Sequence, residues 1–341
     1  MNSRFLDACL GLPVDRTPVW LMRQAGRYLP EYRRVRAGCS FLELCKCPEL
    51  AAEVTIQPVD ILGVDAAILF SDILTPVEAM GLQLDFVPGP VFENPVRTMK
   101  DVEALCIPVM EEDMPFVFET IRILRRELAG RVPLIGFGGA PFTLACYMVE
   151  GKGSKDFATV KKMLYRAPEV YAALMDRVTE MLIAYLRAQA AAGAQVLQLF
   201  DTWGGILSPS DYERHALPYT SRVIAGLAGC GVPVIHFVKG AGTMLDKVRL
   251  AGSDVVGLDW HVDLGAARDV LGPEVAVQGN LDPMVLFGPQ SLIEAEVARI
   301  LRENNGRPGH IFNLGHGILP ETPPENAKFM VECVHRLSAR G

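Results

Sequence analysis

The sequence lacks an apolar run long enough to cross a membrane. A membrane-spanning helix needs about 20 consecutive, mostly apolar residues, and the sequence has no unbroken run of 18 or more apolar residues. The N-terminal segment also lacks the apolar stretch of a secretion signal, because Asp7 and Pro13 interrupt it. The sequence therefore disfavours membrane and secreted proteins, and we expect a cytoplasmic protein.

Ordered cysteine patterns are also missing. No CxxC pair occurs, and the tightest spacing is Cys45-Lys46-Cys47. Zinc sites and the disulfide frameworks of small secreted domains use more regular spacings. The eight cysteines, at positions 9, 39, 45, 47, 106, 146, 230 and 333, are therefore predicted to be free thiols, with no metal site among them.

Positive charge is in deficit, with 33 lysines and arginines against 40 acidic residues and a net charge of −7. This balance argues against a general nucleic-acid-binding protein. One segment departs from it, because Met22 to Arg36 holds five arginines and a single acid, Glu31, which is a local excess of four positive charges. Charge alone leaves two interpretations open, a solvated helix face or an anion site. The five arginines are Arg23, Arg27, Arg33, Arg34 and Arg36.

Short apolar runs rich in Val, Ile, Leu and Phe recur along the chain and alternate with helical patterns. Such continuous runs are typical of parallel strands buried on both faces. The count of eight favours a closed α/β fold, a single (β/α)8 TIM barrel, over an open doubly wound sheet. The runs lie at 18–22, 65–70, 133–139, 194–200, 233–238, 254–260, 274–280 and 310–316.

The segments around these runs complete the predicted architecture. Residues 82–96 have the pattern of a small hairpin inserted after the second strand. No linker or shift in composition marks a domain boundary. We therefore expect one domain over residues 1–341, with residues 1–17 as an N-terminal extension.

Polar residues follow several of the predicted strands. Barrel enzymes carry their chemistry in the loops at the C-terminal ends of the strands, so these side chains should share one mouth. This position favours the anion-site interpretation of the arginine cluster. The residues are those from Arg23 to Arg27 after the first strand, Ser71 and Asp72 after the second, Thr143 and Tyr147 after the third, Asp201 and Thr202 after the fourth and His316 at the end of the eighth.

Several of these stretches resemble one known family. PVWLMRQAGRYLPEYR (18–33) and GFGGAPFTLACYMVEG (136–151) resemble the two signature segments of the uroporphyrinogen decarboxylase family. FSDIL (70–74), QLFDTWGG (198–205) and NLGHGI (313–318) are similar to further stretches of it, so the resemblance runs from about Asp7 to about Arg336. The family usually has Trp where this chain has Phe142, and DTW at 201–203 is of the bacterial type.

The resemblance implies stepwise removal of four acetate carboxyl groups from uroporphyrinogen in porphyrin and heme biosynthesis. The product is coproporphyrinogen, with four CO2 released. It also implies a homodimer and a reaction without metal or organic cofactor. The substrate-binding residues that it implies are Arg23, Gln24, Ala25, Gly26, Arg27, Asp72, Tyr147, Thr202 and His316, of which Asp72, Arg23 and Arg27 are candidate catalytic residues.

The residue types suit this chemistry. Decarboxylation needs an electron sink, usually a cofactor, and a pyrrole protonated on a ring carbon is a cationic, iminium-like alternative. Asp72 would stabilise that cation and accept hydrogen bonds from pyrrole N–H groups; the alternative is that it caps the turn before Thr75-Pro76. Arginine forks bind carboxylates at any pH, and Gly26 would let backbone N–H groups approach the ligand.

Other roles stay open at this point. Arg33 and Arg34 fit a solvated helix face, and the role of Arg36 is undecided. The group that delivers the ring proton is also open, between His316, Tyr147, a bound water and an arginine-linked relay, although arginine is a poor acid.

Two other functions fit the same barrel. A zinc-dependent cobamide or thiol methyltransferase typically needs a His-x-Cys pair at a strand end. The fifth predicted strand instead reads Ile235-His236-Phe237-Val238, with Val in the cysteine position. A non-catalytic tetrapyrrole-binding protein would have no need of a cation stabiliser, so the presence of Asp72 disfavours it.

Overall fold

The computed structural model describes residues 3–86 and 89–340, and its centre is a parallel sheet of seven strands. In the order β1-β4-β5-β6-β7-β8-β9, each strand is hydrogen-bonded to the next. Across the described ranges the strands are β1 Ala67–Ile68, β2 Leu84–Phe86, β3 Pro90–Phe92, β4 Leu134–Gly139, β5 Val196–Asp201, β6 Val234–Val238, β7 Val255–Gly257, β8 Ala276–Gln278 and β9 His310–Ile311. The sheet curls into the α/β barrel type that the alternating apolar runs predict.

Residues 18–20 connect the two edges of this sheet. Val19 forms a parallel bridge with Phe312, which directly follows β9. The Phe312 N–H donates to the Pro18 carbonyl at 2.8 Å, and the Trp20 N–H donates to the Phe312 carbonyl at 3.3 Å. On the other side, the Asp65 N–H donates to the Val19 carbonyl at 2.8 Å, two residues before β1. Residues 18–20 thus form a closing segment that takes the place of an eighth strand.

The prediction of a regular strand over 18–22 is wrong, because side chains replace the ladder partners there. Pro18 has no N–H to donate. The Val19 N–H donates to the Asp65 carboxylate at 2.9 Å, and the Met22 N–H donates to Asn313 Oδ1 at 3.1 Å. Only the single bridge of Val19 therefore remains of the predicted strand.

The helices alternate with the barrel strands. The long helix over 168–192 packs on β4 and β5 and against the helices over 115–127 and 217–226. The described α-helices are α1 Arg4–Cys9, α2 Pro30–Arg36, α3 Phe41–Lys46, α4 Pro48–Leu62, α5 Thr75–Ala79, α6 Met99–Glu103, α7 Met110–Asp113, α8 Pro115–Glu127, α9 Pro141–Glu150, α10 Ala158–Arg166, α11 Pro168–Ala192, α12 Pro209–His215, α13 Leu217–Gly226, α14 Leu245–Arg249, α15 Leu264–Leu271, α16 Gln290–Asn304 and α17 Pro324–Ser338. Short 3-10 helices span Gly204–Ile206, Ala241–Thr243 and Pro283–Phe287.

The two remaining strands, β2 and β3, lie outside the barrel sheet. They pair antiparallel, with Leu84 opposite Phe92 and Phe86 opposite Pro90. Both strands fall in the segment 82–96 in which the sequence predicts a hairpin, and residues 87–88 of that segment lie outside the described residues. The Phe86 ring packs on Phe41, with 4.9 Å between ring centroids, so this pair of strands is attached to α3.

A buried carboxylate, Asp65, ties the chain ends to the closing segment. The side chain is only 3% exposed. One oxygen pairs with Arg4 of α1 at 3.0 Å, and the other lies 2.6 Å from Nε2 of His335 in α17 and accepts the Val19 N–H. Burial raises the pKa of Asp65, but the hydrogen bond and charge of His335 outweigh it and keep the pKa below its ordinary value.

We predict that Asp65→Ala lowers the free energy of unfolding by about 3 kcal/mol, because it leaves the half-buried His335 and the buried Val19 N–H without their partner. Since folding lowers the pKa of Asp65, its contribution is present above about pH 4 and is lost as the pH falls through the folded pKa. Urea unfolding at pH 7 and at about pH 2 measures both effects.

The matched control is Asp15→Ala. Asp15 also pairs with Arg4, at 2.5 Å, but is 64% exposed, so its loss should cost under about 1 kcal/mol. Equal losses for the two variants would contradict the role given to Asp65.

Candidate active site

The predicted site residues follow strands at the C-terminal end of the barrel, where α/β barrels carry their sites. Asp72 lies four residues after β1, and Thr202 directly follows β5. His316 lies five residues after β9, and Tyr147 is in α9, which follows β4. The loop of residues 23–29 follows the closing segment and leads into α2.

Asp72 is half-buried at this end of the barrel, which forms its mouth, and one of its carboxylate oxygens accepts no hydrogen bond from the described residues. Its Oδ1 accepts the Leu74 N–H at 2.9 Å, and its main-chain carbonyl accepts the Thr75 hydroxyl at 2.9 Å. Asp72 therefore does cap the turn, as the alternative interpretation holds, but this uses only one side-chain oxygen. Its Oδ2 has no protein hydrogen-bond partner in the described part of the chain.

The ionisation of Asp72 is set by two opposing effects. Burial raises the pKa of Asp72 to about 6, against the lowering effect of the Leu74 N–H and of the positive charge of Arg23. At neutral pH the group is therefore mainly a carboxylate, held in an environment that binds cations readily.

Arg23 adopts a backbone conformation that is rare for its residue type. Its φ is +63°, in the left-handed region. The side chain lies against Gly317, where an added Cβ would come within 2.8 Å of both Cγ and Nε of Arg23. The glycine thus gives the arginine its place at the mouth, and such strain is typical of functional sites.

Gln24 holds this loop in place with its side chain. The fully buried amide donates from Nε2 to the Ala66 carbonyl at 3.0 Å and accepts the Leu21 N–H at 3.1 Å. The Gln24 carbonyl accepts the Tyr28 hydroxyl at 2.8 Å. Both functional groups of the Gln24 side chain are therefore used by the fold.

The next residues form a loop that presents backbone donors. Within residues 3–86 and 89–340, no partner is found for the N–H groups of Ala25, Gly26 and Arg27. Ala25 and Gly26 are half-exposed. Successive free N–H groups form anion-binding concavities. An added Cβ at Gly26 would lie 2.8 Å from the Arg23 carbonyl, so this glycine is needed for the tight turn.

The five arginines of the cluster separate into two groups. Arg33 donates to the carbonyl of Arg27 at 2.8 Å, Arg34 pairs with Glu31 at 3.3 Å, and Arg36 donates to the Cys39 carbonyl. Over the described residues, Arg23 and Arg27 form no ion pair, and both are exposed. The two arginines predicted for the site are thus the ones free to bind an anion.

His316 is half-buried between the positive charges of Arg23 and Lys239. Burial, reinforced by these two cations, lowers the pKa of His316 to about 4. The imidazole is therefore neutral at pH 7 and suited to hydrogen bonding rather than to ion pairing. Its ring lies 6.2 Å from the Phe237 ring.

Tyr147 and Thr202 lie on the opposite side, near Trp203. The Tyr147 and Trp203 rings are 6.1 Å apart, and burial raises the pKa of Tyr147, so its hydroxyl stays a neutral donor. Thr202 is half-buried and precedes Trp203 directly. Both residues therefore offer neutral hydroxyl groups.

Three phenylalanines from adjacent strands form an apolar wall. The Phe137 and Phe200 rings are 5.7 Å apart, and the Phe200 and Phe237 rings are 6.3 Å apart. Phe237 is also the ring beside His316. Since side chains alternate along a strand, His236 faces the other way, is fully buried and has its pKa lowered to about 4 by that burial.

Sequence reasoning left two charged residues at strand ends out of the predicted site: it named Asp201 only as a polar residue after the fourth strand, and it missed Lys239. Asp201 is buried at the end of β5 and accepts the Thr143 hydroxyl at 2.6 Å, while Thr143 Oγ1 accepts the Trp203 N–H at 3.1 Å. Burial raises the pKa of Asp201 to about 6. Lys239 directly follows β6. For both, position after an apolar run was the available signal.

The described ranges contain no membrane-spanning helix, no cluster of metal ligands and no disulfide. No helix there is long and apolar enough to span a bilayer. No group of three or more His, Cys, Asp or Glu side chains there is arranged to hold a metal ion. The eight cysteines all lie in this part of the chain and form no disulfide.

Solved structures share the fold. A methyltransferase from Methanosarcina mazei superposes with a TM-score of 0.82 at 23% identity, covering 98% of each chain. A putative vitamin-B12-independent methionine synthase from Listeria monocytogenes gives a TM-score of 0.60 at 13% identity, covering 95% of this chain and 97% of that one. At these identities the likeness concerns the fold alone.

The sequence comparisons are more specific. The family model described as uroporphyrinogen decarboxylase (URO-D) matches residues 1–337. Proteins named uroporphyrinogen decarboxylase from Trichlorobacter lovleyi and Geobacter sulfurreducens are each 76% identical to this chain over 340 residues, covering 100% of both chains. The chain belongs to the uroporphyrinogen decarboxylase family.

Proposed function

We propose that this chain decarboxylates uroporphyrinogen in heme biosynthesis by means of Asp72 and the loop of residues 23–27. Membership of the family over residues 1–337 and 76% identity to full-length relatives support the activity. One observation supports these residues as the site. Asp72 has an oxygen without a protein hydrogen-bond partner among the described residues, and the same end of the barrel contains two arginines without an ion pair there, Arg23 and Arg27.

Asp72 acts as the stabiliser of positive charge. Protonation of a pyrrole at the ring carbon next to the acetate-bearing carbon gives an iminium-like cation. The electron pair of the breaking C–CO2 bond then flows into the ring, and CO2 leaves. A second proton converts the exocyclic methylene to methyl, and the proton added to the ring carbon is lost, which restores the pyrrole. A carboxylate about 4 Å from the cation contributes about 4 kcal/mol at an effective dielectric of about 20, roughly 10³ in rate.

Arg23, Arg27 and the N–H groups of Ala25 and Gly26 bind the acidic side chains of the substrate. Guanidinium groups form two parallel hydrogen bonds with a carboxylate, and the free N–H groups of the loop add donors at fixed positions. Gln24 contributes by fixing the loop, because its side chain is bound to Ala66 and Leu21. The loop therefore neutralises substrate charge on a protein of net charge −7.

Neutral donors complete the proposed site. His316 is uncharged at pH 7, and Tyr147 and Thr202 carry hydroxyl groups. Such groups bind carboxylates without adding charge, so the arginines and Asp72 control the electrostatics of the mouth. The phenylalanine wall supplies an apolar surface for the pyrrole rings.

We predict that Asp72→Asn lowers kcat/KM for uroporphyrinogen about 10³-fold, because it removes the charge that stabilises the pyrrole cation. Anaerobic assay with separation of products by number of carboxyl groups measures this. Asp60→Asn is the control, since Asp60 is exposed on α4 and pairs with Arg131, and it should keep wild-type turnover. Activity of Asp72→Asn within tenfold of wild type would rule out the proposed role.

The same variant should remain folded. The folded pKa of Asp72, about 6, exceeds the ordinary value of 3.8, so the ionised group destabilises the fold above pH 6, and this cost disappears below about pH 4. Asp72→Asn should therefore melt at or above the wild-type temperature at pH 8, which separates loss of chemistry from loss of structure.

We predict that the acidic limb of the pH profile of kcat/KM reports Asp72. Activity should fall as the pH drops through about 6, where the carboxylate protonates. Arg23→Met should move this limb to higher pH, because Arg23 lowers the pKa of Asp72, and should raise KM more than Arg34→Met does.

Asp201 has a raised pKa of about 6 as well, so Asp201→Asn is needed as a second variant. The limb should persist in Asp201→Asn. A limb that disappears with Asp201, or one that Arg23→Met leaves in place, would show that Asp72 is not the titrating group.

We further propose a cytoplasmic homodimer, each subunit a single barrel domain over residues 1–341. The eight free thiols support a reducing compartment. Exposed apolar side chains beside α16, Met284, Phe287 and Leu292, fit a covered surface. Sedimentation equilibrium should give twice the 37.3 kDa chain mass, and Phe287→Glu should lower the association constant. A monomer at micromolar concentration would refute the dimer.

A further inference from the structure

A line of residues crosses the mouth from Arg23 to the end of β6. Arg23 lies against Gly317. On the other side of His316, an added Cβ at Gly315 would lie 2.7 Å from the backbone N and 2.9 Å from Cε3 of Trp260. The Lys239 ammonium is 5.9 Å from the Trp260 ring centroid. Arg23 and Lys239 thus stand at opposite ends of the segment that carries His316.

The charge of Lys239 is left without a protein counter-ion. Lys239 is half-buried and belongs to no ion pair among the described residues. Its own backbone is fixed, because its N–H donates to the Asp201 carbonyl at 3.2 Å. The acid at the neighbouring strand end, Asp259, is already used, since it accepts the N–H groups of Gly240 and His261 and pairs with the His261 ring at 3.1 Å.

This arrangement favours an anionic ligand at Lys239. A cation that is partly removed from water gains from an anion at hydrogen-bond distance, and the Trp260 face holds the ammonium in place. The arginines and free N–H groups of the proposed site all come from residues 23–27, at one side of the mouth. The substrate has carboxylates around its whole rim, so the carboxylates that residues 23–27 do not bind include some on the side where Lys239 lies.

We propose that Lys239 is a further substrate-binding residue, which binds a side-chain carboxylate of the tetrapyrrole on the opposite side of His316 from Arg23. The proposal rests on the proposed function and adds a second point of attachment to the site. Two carboxylates bound on opposite sides fix the rotation of the macrocycle in the mouth, which determines the acetate that faces Asp72.

Lys239→Met in the full-length protein tests this. It should raise KM for uroporphyrinogen about tenfold, the size expected for loss of one charge-assisted hydrogen bond at a partly exposed site, and change kcat less than threefold. Lys239→Arg should restore most of the affinity. Because the effect is ionic, the dependence of KM on salt concentration should be shallower in Lys239→Met than in wild type, which a merely structural role would not produce.

Lys328→Met, at an exposed position of α17, is the matched control and should keep wild-type KM. Lys239→Gln serves as a second variant if the methionine lowers the melting temperature. The inhibition constant of coproporphyrinogen, a product whose acidic side chains are all propionates, identifies the group that Lys239 binds. If Lys239 binds a propionate, this constant should rise together with KM in Lys239→Met. If Lys239 binds an acetate, the constant should be the same in Lys239→Met and wild type.

The outcomes separate this inference from the function on which it rests. A wild-type protein that does not decarboxylate uroporphyrinogen refutes the proposed function. Normal wild-type turnover together with an unchanged KM and salt dependence in both Lys239→Met and Lys239→Gln overturns the inference about Lys239 alone.

Discussion

The effect of the positive charge of Arg23 on the carboxyl group of Asp72 is the interaction on which the proposed site depends. Burial alone would drive the carboxyl group toward its neutral form, and the nearby guanidinium and the Leu74 N–H oppose this, leaving a pKa of about 6. A carboxylate kept ionised in such surroundings has poor solvation and one free oxygen. In the proposed mechanism it therefore binds a developing cation more strongly than an exposed acid would, and a pyrrole protonated on carbon is such a cation.

The irregular closure of the barrel positions Arg23 where its charge acts on Asp72. Residues 18–20 bond to Phe312 on one side and Asp65 on the other, while the Met22 N–H is bound by the side chain of Asn313. The strand ladder ends there, so the chain is free to turn, and Arg23 takes its left-handed conformation. The same turn exposes the N–H groups of residues 25–27. Barrel closure and the loop proposed to bind anions are thus two results of one local structure.

Pattern and residue type predicted much of this arrangement. Apolar runs located the strands, and the rule that barrel sites follow strands placed Asp72 and His316 at one end. The prediction of a regular strand over 18–22 was wrong, because an apolar run does not show which groups its N–H groups bond to. Here the side chains of Asp65 and Asn313 accept hydrogen bonds from the N–H groups of Val19 and Met22. Lys239 and Gly317 were missed for a related reason. Their significance depends on distances to Trp260 and Arg23, which lie on neighbouring elements of the barrel, and spacing along the chain does not contain these distances.

A crystal structure of the protein with coproporphyrinogen, grown under reducing conditions, tests the central claim most directly. The account predicts the Asp72 carboxylate within about 3 Å of pyrrole nitrogens, with propionates on the loop of residues 23–27. A macrocycle whose nitrogens face away from Asp72, with that side chain bonded only to its own turn, would contradict the account.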